Sequence, residues 1–165
     1  MRIFKEEQRF TQPWLIILMI ITSVFSIVII TKAYINNRNL FEYIIPMGIV
    51  LITTGVIFIF KLKTRMDDVG IHYQFFPFHF RMKTIFWNDI KHAKTRTYKA
   101  LTEYGGWGLK SGNFLNKNKG IAINVKGNIG IQLILHTGKK ILIGTQKQAD
   151  ADRIINRYLE QKTNG

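Results

Sequence analysis

The hydrophobic pattern divides the chain into a front part with two continuous apolar runs and a later part in which apolar and polar residues alternate. The runs WLIILMIITSVFSIVIIT, at 14–31, and YIIPMGIVLITTGVIFIF, at 43–60, contain no charged residue. Each has about eighteen residues, which gives a helix of about 27 Å, close to the roughly 30 Å hydrocarbon core of a bilayer. The pattern therefore predicts two transmembrane helices.

A cleaved secretory signal is the alternative interpretation of the first run, because Arg2, Lys5 and Arg9 resemble its basic leader. The run is longer than the usual apolar segment of about 7 to 15 residues, and no small-x-small cleavage pattern follows it. We therefore favour a membrane hairpin, joined by a short external loop at 32–42. Neither span contains an ionisable residue, which argues against a transport path.

Basic residues flank the predicted hairpin unevenly. Three cations lie in the N-terminal segment 1–13 and three more in the juxtamembrane linker 61–68, whereas the connection holds only Lys32 and Arg38. By the positive-inside rule this asymmetry predicts a multi-pass protein of the cytoplasmic (bacterial inner) membrane, with both termini in the cytoplasm.

After the hairpin, apolar residues recur with the period of two that is typical of half-buried strands. Short glycine-containing turns separate the later strands and predict tight hairpins. Six strands are expected, with a seventh if part of 107–115 pairs: 69–76, 79–87, 90–98, 121–125, 129–135 and 141–143. Thr145 and Gln148 fit a capping box, and the apolar face that follows predicts an amphipathic helix at 146–161.

This order of strands and one closing helix is the layout of a pleckstrin-homology-like (PH-like) barrel. The segment GIHYQFFPFHFRMKTIFWNDIKHA resembles the small bacterial PH-like domains that follow a two-helix membrane hairpin. The later segments EYGGWGLKS, VKGNIGIQL and LIGTQKQAD are similar to one branch of that group. The resemblance implies an antiparallel barrel over 69–165, closed by the C-terminal helix. It implies a scaffold and a location, not a reaction.

Motifs for chemistry are missing from the sequence. The four histidines are scattered, there is no cysteine, and no GxSxG nucleophile elbow is present. The stretch EYGGWGLKSGNF, at 103–114, has a Lys-Ser pair but lacks the order and the strand-to-helix setting of a Walker loop. We therefore predict a protein that is not an enzyme and that has no cofactor or metal.

Positive charge is the remaining signal, since the chain has 24 Lys and Arg against 10 Asp and Glu and a net charge of +14. Its plainest explanation is general basicity without a specific ligand. Cations beside an anionic leaflet contribute on the order of 1 kcal/mol each, so a tethered basic domain suits anionic lipid head groups. Nucleic acid would suit the charge too, but it ranks below lipid because the hairpin already holds the domain at a membrane.

The first predicted hairpin of the domain, QFFPFHFRMK, combines aromatic and basic residues. One or two of its phenylalanines must point inward and the others remain exposed at the tip, unless all of them pack inside the barrel. Trp107 is expected either to plug the barrel end or to anchor at a membrane or partner surface. The candidate contact residues for lipid or a partner are Phe76, Phe78, Arg81, Lys83, Lys94, Arg96, Trp107 and Lys110.

The leading hypothesis is an integral membrane protein whose PH-like domain binds a partner protein or anionic lipid head groups. An accessory subunit that docks through its hairpin to a larger membrane complex is the alternative. Binding of nucleic acid by the basic domain is third and unlikely.

Overall fold

A computed structural model of the chain describes residues 3–111 and 120–163, and the side chains of Asn37, Ser111 and residues 161–163 are outside the description. The chain separates into two compact units. The helical unit is Phe10–Phe60, and the β-rich unit combines the residues before it with those after it. The helical unit is thus an insertion into the sequence of the β-rich unit.

The helical unit contains α1 (Pro13–Asn37) and α2 (Leu40–Val56), and a 3-10 turn at Ile57–Ile59 extends α2. Both helices are long and apolar enough to span a membrane. The loop expected at 32–42 is mostly helical, because the turn needs only Arg38, with φ of 53°, and Asn39. The Asn39 side chain accepts a hydrogen bond from the Phe41 backbone N–H at 3.1 Å, which starts α2 at once.

Contacts between the helices come from a few polar and aromatic side chains. The hydroxyls of Ser23 and Thr54 are 2.8 Å apart, and the rings of Tyr34 and Tyr43 have centroids 5.0 Å apart. None of the α2 side chains is buried. Their apolar surface therefore faces outward, as expected of helices with lipid as their solvent.

The described residues of the β-rich unit form nine strands and two helices. The strands are β1 (Phe4–Arg9), β2 (Lys61–Met66), β3 (Gly70–Phe76), β4 (Lys83–Phe86), β5 (Ile90–Thr97), β6 (Gly108–Ser111), β7 (Ile121–Asn124), β8 (Ile129–Leu135) and β9 (Lys140–Gly144). The helices are α3 (Ala100–Tyr104) and α4 (Gln148–Thr163), and a 3-10 turn at Trp87–Asp89 leads from β4 to β5. The predicted closing helix is present, two residues later than expected at its start.

The strands form two sheets, without a closed barrel. Sheet A has the antiparallel order β1-β2-β3-β4, and sheet B has the order β5-β8-β9-β7-β6. All seven segments predicted as strands contain one, although residues 112–115 of the seventh lie outside the described residues. The PH-like barrel expected from the resemblance therefore stays a prediction, and the coarser description is an α+β unit with two sheets.

One expected hairpin and the all-antiparallel arrangement are wrong. β7 does not pair with β8; it lies parallel to β9, with Ile121 opposite Ile141. The reason is that β8 already has β5 on one edge and β9 on the other, so the free edge of β9 is the place where β7 can complete its hydrogen bonds.

The first two strands of sheet A come from residues predicted to be an N-terminal segment and a juxtamembrane linker. β1, before the hairpin, pairs along its whole length with β2, after the hairpin, from Phe4 opposite Met66 to Arg9 opposite Lys61. The β-rich unit therefore starts at the N-terminus and resumes at Lys61, earlier than the boundary expected at residue 69. These two strands are hard to recognise in the sequence, because charged residues occupy their outward positions and several inward positions are polar.

The core combines apolar residues of both sheets, including the fully buried Leu62 and Met66 of β2, with one face of α4. Leu133, Leu142 and Ile143 are fully buried, as are Ala151 and Ile155 of the helix. Helix α4 also covers the free edge of β5, where the Asp152 carboxylate accepts a 2.7 Å bond from the Thr95 hydroxyl. This contact removes an open edge from sheet B.

Candidate functional site

The connection between β3 and β4, here called the β3–β4 loop (residues 77–82), is held by bonds to its own strand. The His79 backbone N–H donates to the Phe75 carbonyl at 2.8 Å, and the Phe75 N–H donates to His79 Nδ1 at 3.3 Å. The Gln74 amide donates to the Phe80 carbonyl at 2.9 Å. These bonds fix the backbone while leaving the tip side chains outside.

The phenylalanines of this loop and its strand divide into inward and outward residues. Phe75 is 1% exposed, whereas Phe78 is 62% and Phe80 is 80% exposed. Phe78 stacks on Phe75 with centroids 5.8 Å apart, and Phe80 meets the half-buried Phe76 edge to face at 6.0 Å. Of the two alternatives left open by the sequence, an exposed tip and complete burial, the structure has the exposed tip. Phe80, which was not among the candidates, is its most exposed ring, and the candidate Phe76 is half-buried.

Exposed cations follow the aromatic residues in the sequence, and a further lysine lies over the Phe76 ring. Arg81 and Lys83 are exposed, and the Lys61 ammonium lies 5.8 Å from the centre of the Phe76 ring. Burial and the Lys83 charge lower the pKa of His79, so this imidazole is neutral at pH 7. The loop therefore presents apolar rings with adjacent positive charges and no carboxylate of its own.

Strand register fixes which end of sheet A carries this loop. Phe76 is opposite Lys61, and Lys61 is opposite Arg9. Arg9 is the last residue of β1 before the chain leaves for the helical unit, and Lys61 is the first residue after its return. The loop thus extends from the same end of the sheet at which the chain enters and leaves the helical unit.

The remaining candidate cations are not gathered into one site. Lys94 is exposed on β5 and Lys110 lies on β6, at opposite edges of sheet B and about 19 Å apart at about 4.8 Å per strand. Arg96, on β5, donates to the Glu103 carboxylate at 2.9 Å, to the Tyr104 hydroxyl at 3.1 Å and to the Gln132 side chain at 3.1 Å. Arg96 is therefore engaged in a structural network.

Trp107 lies half-buried on a small aromatic cluster and does not extend from the surface. It packs against the cluster that contains Tyr98, Tyr104 and Leu142, and its indole N–H donates to the Gly127 carbonyl at 3.2 Å. Burial raises the pKa of Tyr98 to about 12, so this hydroxyl stays protonated and accepts from Asn124 at 2.9 Å. The covering role expected for Trp107 fits better than the anchor role.

The glycines around Trp107 have a conformational purpose. Gly105 ends α3 in the left-handed region with φ of 74°, and its N–H donates back to the Leu101 carbonyl at 2.9 Å. Gly106 and Gly108 have φ of 120° and 115°, which other residues rarely adopt. The stretch therefore turns the chain from α3 into β6 and does not form a phosphate cradle.

A second basic surface, on the outer face of β1 and β2, was missed as a site. Its five cations are Lys5, Arg9, Lys61, Lys63 and Arg65, and Glu7 is the acidic residue among them. Glu7 is shared between Arg9 at 2.9 Å and Lys63 at 3.7 Å. In the sequence, these cations recur at even spacing, which is typical of one face of a strand. In the sequence analysis they are used only to predict the orientation of the hairpin in the membrane.

Asp67 follows the C-terminal end of β2, and its carboxylate contacts several neighbouring groups. Its carboxylate pairs with Arg65 at 2.8 Å and with His72 Nε2 at 2.9 Å, and it accepts from the backbone N–H of Val69. His72 Nδ1 is 2.8 Å from the Thr84 hydroxyl. Backbone and arginine bonds occupy the carboxylate, which suits a turn-holding role. Within residues 3–111 and 120–163, no group of three or more acidic or histidine side chains could hold a metal ion.

Comparison of the chain with protein-family models, with curated proteins and with solved structures finds no match. The candidate surfaces are therefore interpreted from their own geometry.

Proposed function

We propose that the chain is a membrane-anchored, non-enzymatic protein whose β-rich unit binds anionic lipid head groups through the β3–β4 loop. The observation that carries this proposal is the exposed pair Phe78 and Phe80 beside Arg81 and Lys83. Burying an aromatic ring contributes roughly 1.5 to 3 kcal/mol, and each adjacent cation adds on the order of 1 kcal/mol at an anionic surface.

The topology that this proposal requires has both flanks of the hairpin on one side of the membrane. The pairing of β1 with β2 supports it, because strands on opposite sides of a bilayer cannot share hydrogen bonds. An even number of crossings between Arg9 and Lys61 follows, and α1 and α2 supply two. The basic flanks then favour the cytoplasmic side.

Reporter fusions test the topology directly. A phosphatase, active only outside the cytoplasm, is expected to be inactive when fused after Gly165 and active when inserted at the Arg38–Asn39 turn. An active C-terminal fusion would reverse the proposed orientation.

Insertion of the loop can be measured in the full chain, because the natural sequence has no cysteine. Met82, 41% exposed in the same loop, is replaced by cysteine and spin-labelled, which keeps every phenylalanine. In nanodiscs that contain phosphatidylglycerol, the label is expected to be accessible to oxygen and shielded from a water-soluble nickel chelate. A label at Lys139→Cys, in the exposed β8–β9 turn, is the aqueous control.

The same measurement distinguishes lipid from a protein partner. Phe78→Ser with Phe80→Ser is expected to return the Met82 label to water, and purely phosphatidylcholine discs are expected to reduce its depth. A label equally accessible to the chelate in both lipids contradicts lipid binding and favours a protein partner for the exposed rings.

A further inference from the structure

A groove is lined by residues of both faces of β1 and β2. Its volume is about 550 Å³, within the range of about 300 to 1,000 Å³ that is usual for small-molecule sites. Five separate segments line it: β1, β2, the β3–β4 loop, the β7–β8 turn and the connection from β9 to α4. We call this the basic groove, after the residues Lys5, Lys63, Arg65, Lys126 and Lys147 that line it together with Met82.

Charge in the basic groove is unbalanced. Its two carboxylates are Glu6 and Glu7. Glu6 is 9% exposed and accepts the Thr145 hydroxyl at 2.6 Å and the Gln146 backbone N–H at 2.8 Å. Glu7 is shared between Arg9 and Lys63. Arg65 already pairs with Asp67 at 2.8 Å. The five cations of the groove still outnumber Glu6, Glu7 and Asp67, so its net charge remains positive.

Two of the lysines have ammonium groups without a carboxylate partner in the described part of the chain. Lys5 forms no ion pair there, and Lys147 donates instead to the Lys5 backbone carbonyl at 3.2 Å. These two side chains stand at the free edge of β1, on exposed positions. They are available to an incoming anion at little cost to the fold.

The spacing of the cations selects the kind of anion. Lys63 and Arg65 are two residues apart on one strand face, which separates them by about 6.6 Å, and Lys5 lies opposite Arg65 on the next strand. Because the cations lie on several segments, a ligand with two phosphates can contact more of them than a ligand with one phosphate. Lysine and arginine are the usual partners of phosphate oxygens.

We propose that the basic groove binds a ligand with two phosphate groups, either a soluble diphosphate or a diphosphorylated lipid head group. This site is separate from the exposed rings of the β3–β4 loop, although Met82 of that loop reaches its rim. The inference does not rest on the proposed lipid contact, because the groove is tested in neutral lipid, where the loop has no anionic surface.

Calorimetric titration of the full chain with pyrophosphate, in phosphatidylcholine nanodiscs, tests the groove. The wild type is expected to bind. Lys5→Ala with Lys147→Ala is expected to weaken binding by about tenfold, since it removes two charge-assisted contacts. Lys91→Ala with Lys139→Ala, which removes the same charge from exposed positions elsewhere, is the matched control and is expected to weaken it by less than about threefold, through long-range attraction alone.

A variant that is expected to tighten pyrophosphate binding, and not to weaken it, keeps the test decisive if the double variant does not fold. Glu7→Gln removes a competing carboxylate and is expected to tighten pyrophosphate binding by several-fold. No binding at millimolar pyrophosphate, an equal loss in the control pair, or no change in Glu7→Gln overturns the proposal.

The source of the phosphates is decided by adding lipid. Nanodiscs with diphosphatidylglycerol are compared with discs of equal charge that contain phosphatidylglycerol. Loss of pyrophosphate binding in the first alone assigns the groove to a two-phosphate lipid, and equal binding in both assigns it to a soluble ligand.

Discussion

Both sheets of the β-rich unit bury apolar side chains, but β1 of sheet A also buries the carboxylate-bearing side chain of Glu6. The interior of sheet B is aliphatic, with Ile131, Leu133 and Ile143 fully buried. In sheet A, β1 and β2 bury the polar residues Glu6, Gln8 and Thr64 alongside the apolar residues Phe4, Leu62 and Met66. Aliphatic burial is strong but non-directional, whereas a buried polar group is favourable only beside its partner.

Apolar burial and specific polar contacts therefore contribute in different proportions to the stability of the two sheets. Sheet B supplies much of the apolar core together with Leu62 and Met66 of sheet A, and β1 is further positioned by specific bonds to the end of β9. The Gln8 amide donates to the Gly144 carbonyl at 2.8 Å, next to the bonds of Glu6 with Thr145 and Gln146. These polar contacts set the place of a strand that is separated from its neighbour by the whole helical unit.

The largest effect is expected from Leu133→Ala in sheet B. Leu133 is fully buried, and such truncations cost about 3 to 5 kcal/mol through lost transfer energy and a residual cavity. Thermal unfolding of the full chain in micelles, followed by near-ultraviolet circular dichroism, measures the loss. Leu101→Ala, at a side chain 66% exposed, is the control; an equal loss there would contradict the aliphatic core as the main source of stability.

Glu6→Ala tests the polar attachment of β1. It leaves the buried Thr145 hydroxyl and the Gln146 N–H without their acceptor, at an expected cost of about 2 to 3 kcal/mol. The same unfolding experiment applies, and hydrogen exchange of the β1 and β2 amides should rise more than that of β8. Uniform exchange in both sheets would show that β1 is not the locally weakened strand.

Acid is expected to weaken sheet A through Asp67. Burial alone would raise the pKa of this carboxyl, but the bonds from His72 and the Val69 N–H outweigh it and hold the pKa below its ordinary value. The stabilisation is therefore complete above the ordinary Asp value and is lost as pH falls through the lowered one.

Asp67→Asn is expected to remove this acid dependence and to cost about 1 to 2 kcal/mol at neutral pH, because the charge-assisted bond with Arg65 is lost. Unfolding temperatures of both proteins across the acidic range measure it. Parallel pH curves would exclude Asp67 as the titrating group.

The smallest effect is expected from Thr64→Val. The Thr64 hydroxyl is buried without a hydrogen-bond partner in the described residues, so replacing it by a methyl group removes a desolvation cost. The change should lie between zero and about 1 kcal/mol of added stability. Clear destabilisation would indicate that this hydroxyl has a hydrogen-bond partner and that, like Glu6, it stabilises sheet A through a polar contact.

Sheet B and the helices could be predicted because their signals are local. Alternation such as that of Ile129, Ile131 and Leu133 reports burial of one face, whatever the strand pairs with. The pairing itself was not available, so the parallel neighbour of Ile121 was missed. β1 was missed because FKEEQR has one apolar residue in six, and its inward polar positions make sense only beside Thr145.

The candidate site was predicted in part for the same reason. Aromatic and basic residues are adjacent in QFFPFHFRMK, so the exposed loop could be recognised from the sequence. The basic groove joins Lys5 to Lys63 and Lys147, which are far apart in the chain. Lys94, Arg96 and Lys110 are close in sequence but are separated by the sheet order or by ion pairing.

The pairing of β1 with β2 also sets an order of events during synthesis. Residues 4–9 leave the ribosome before their partner strand, which emerges only after both apolar helices have been made. Sheet A therefore closes after the hairpin has been synthesised, and its closing requires both flanks in the same compartment. A chain whose two flanks lay on opposite sides of a bilayer would leave the polar contacts of Glu6 and Gln8 unmade and the edge of β2 without its partner strand.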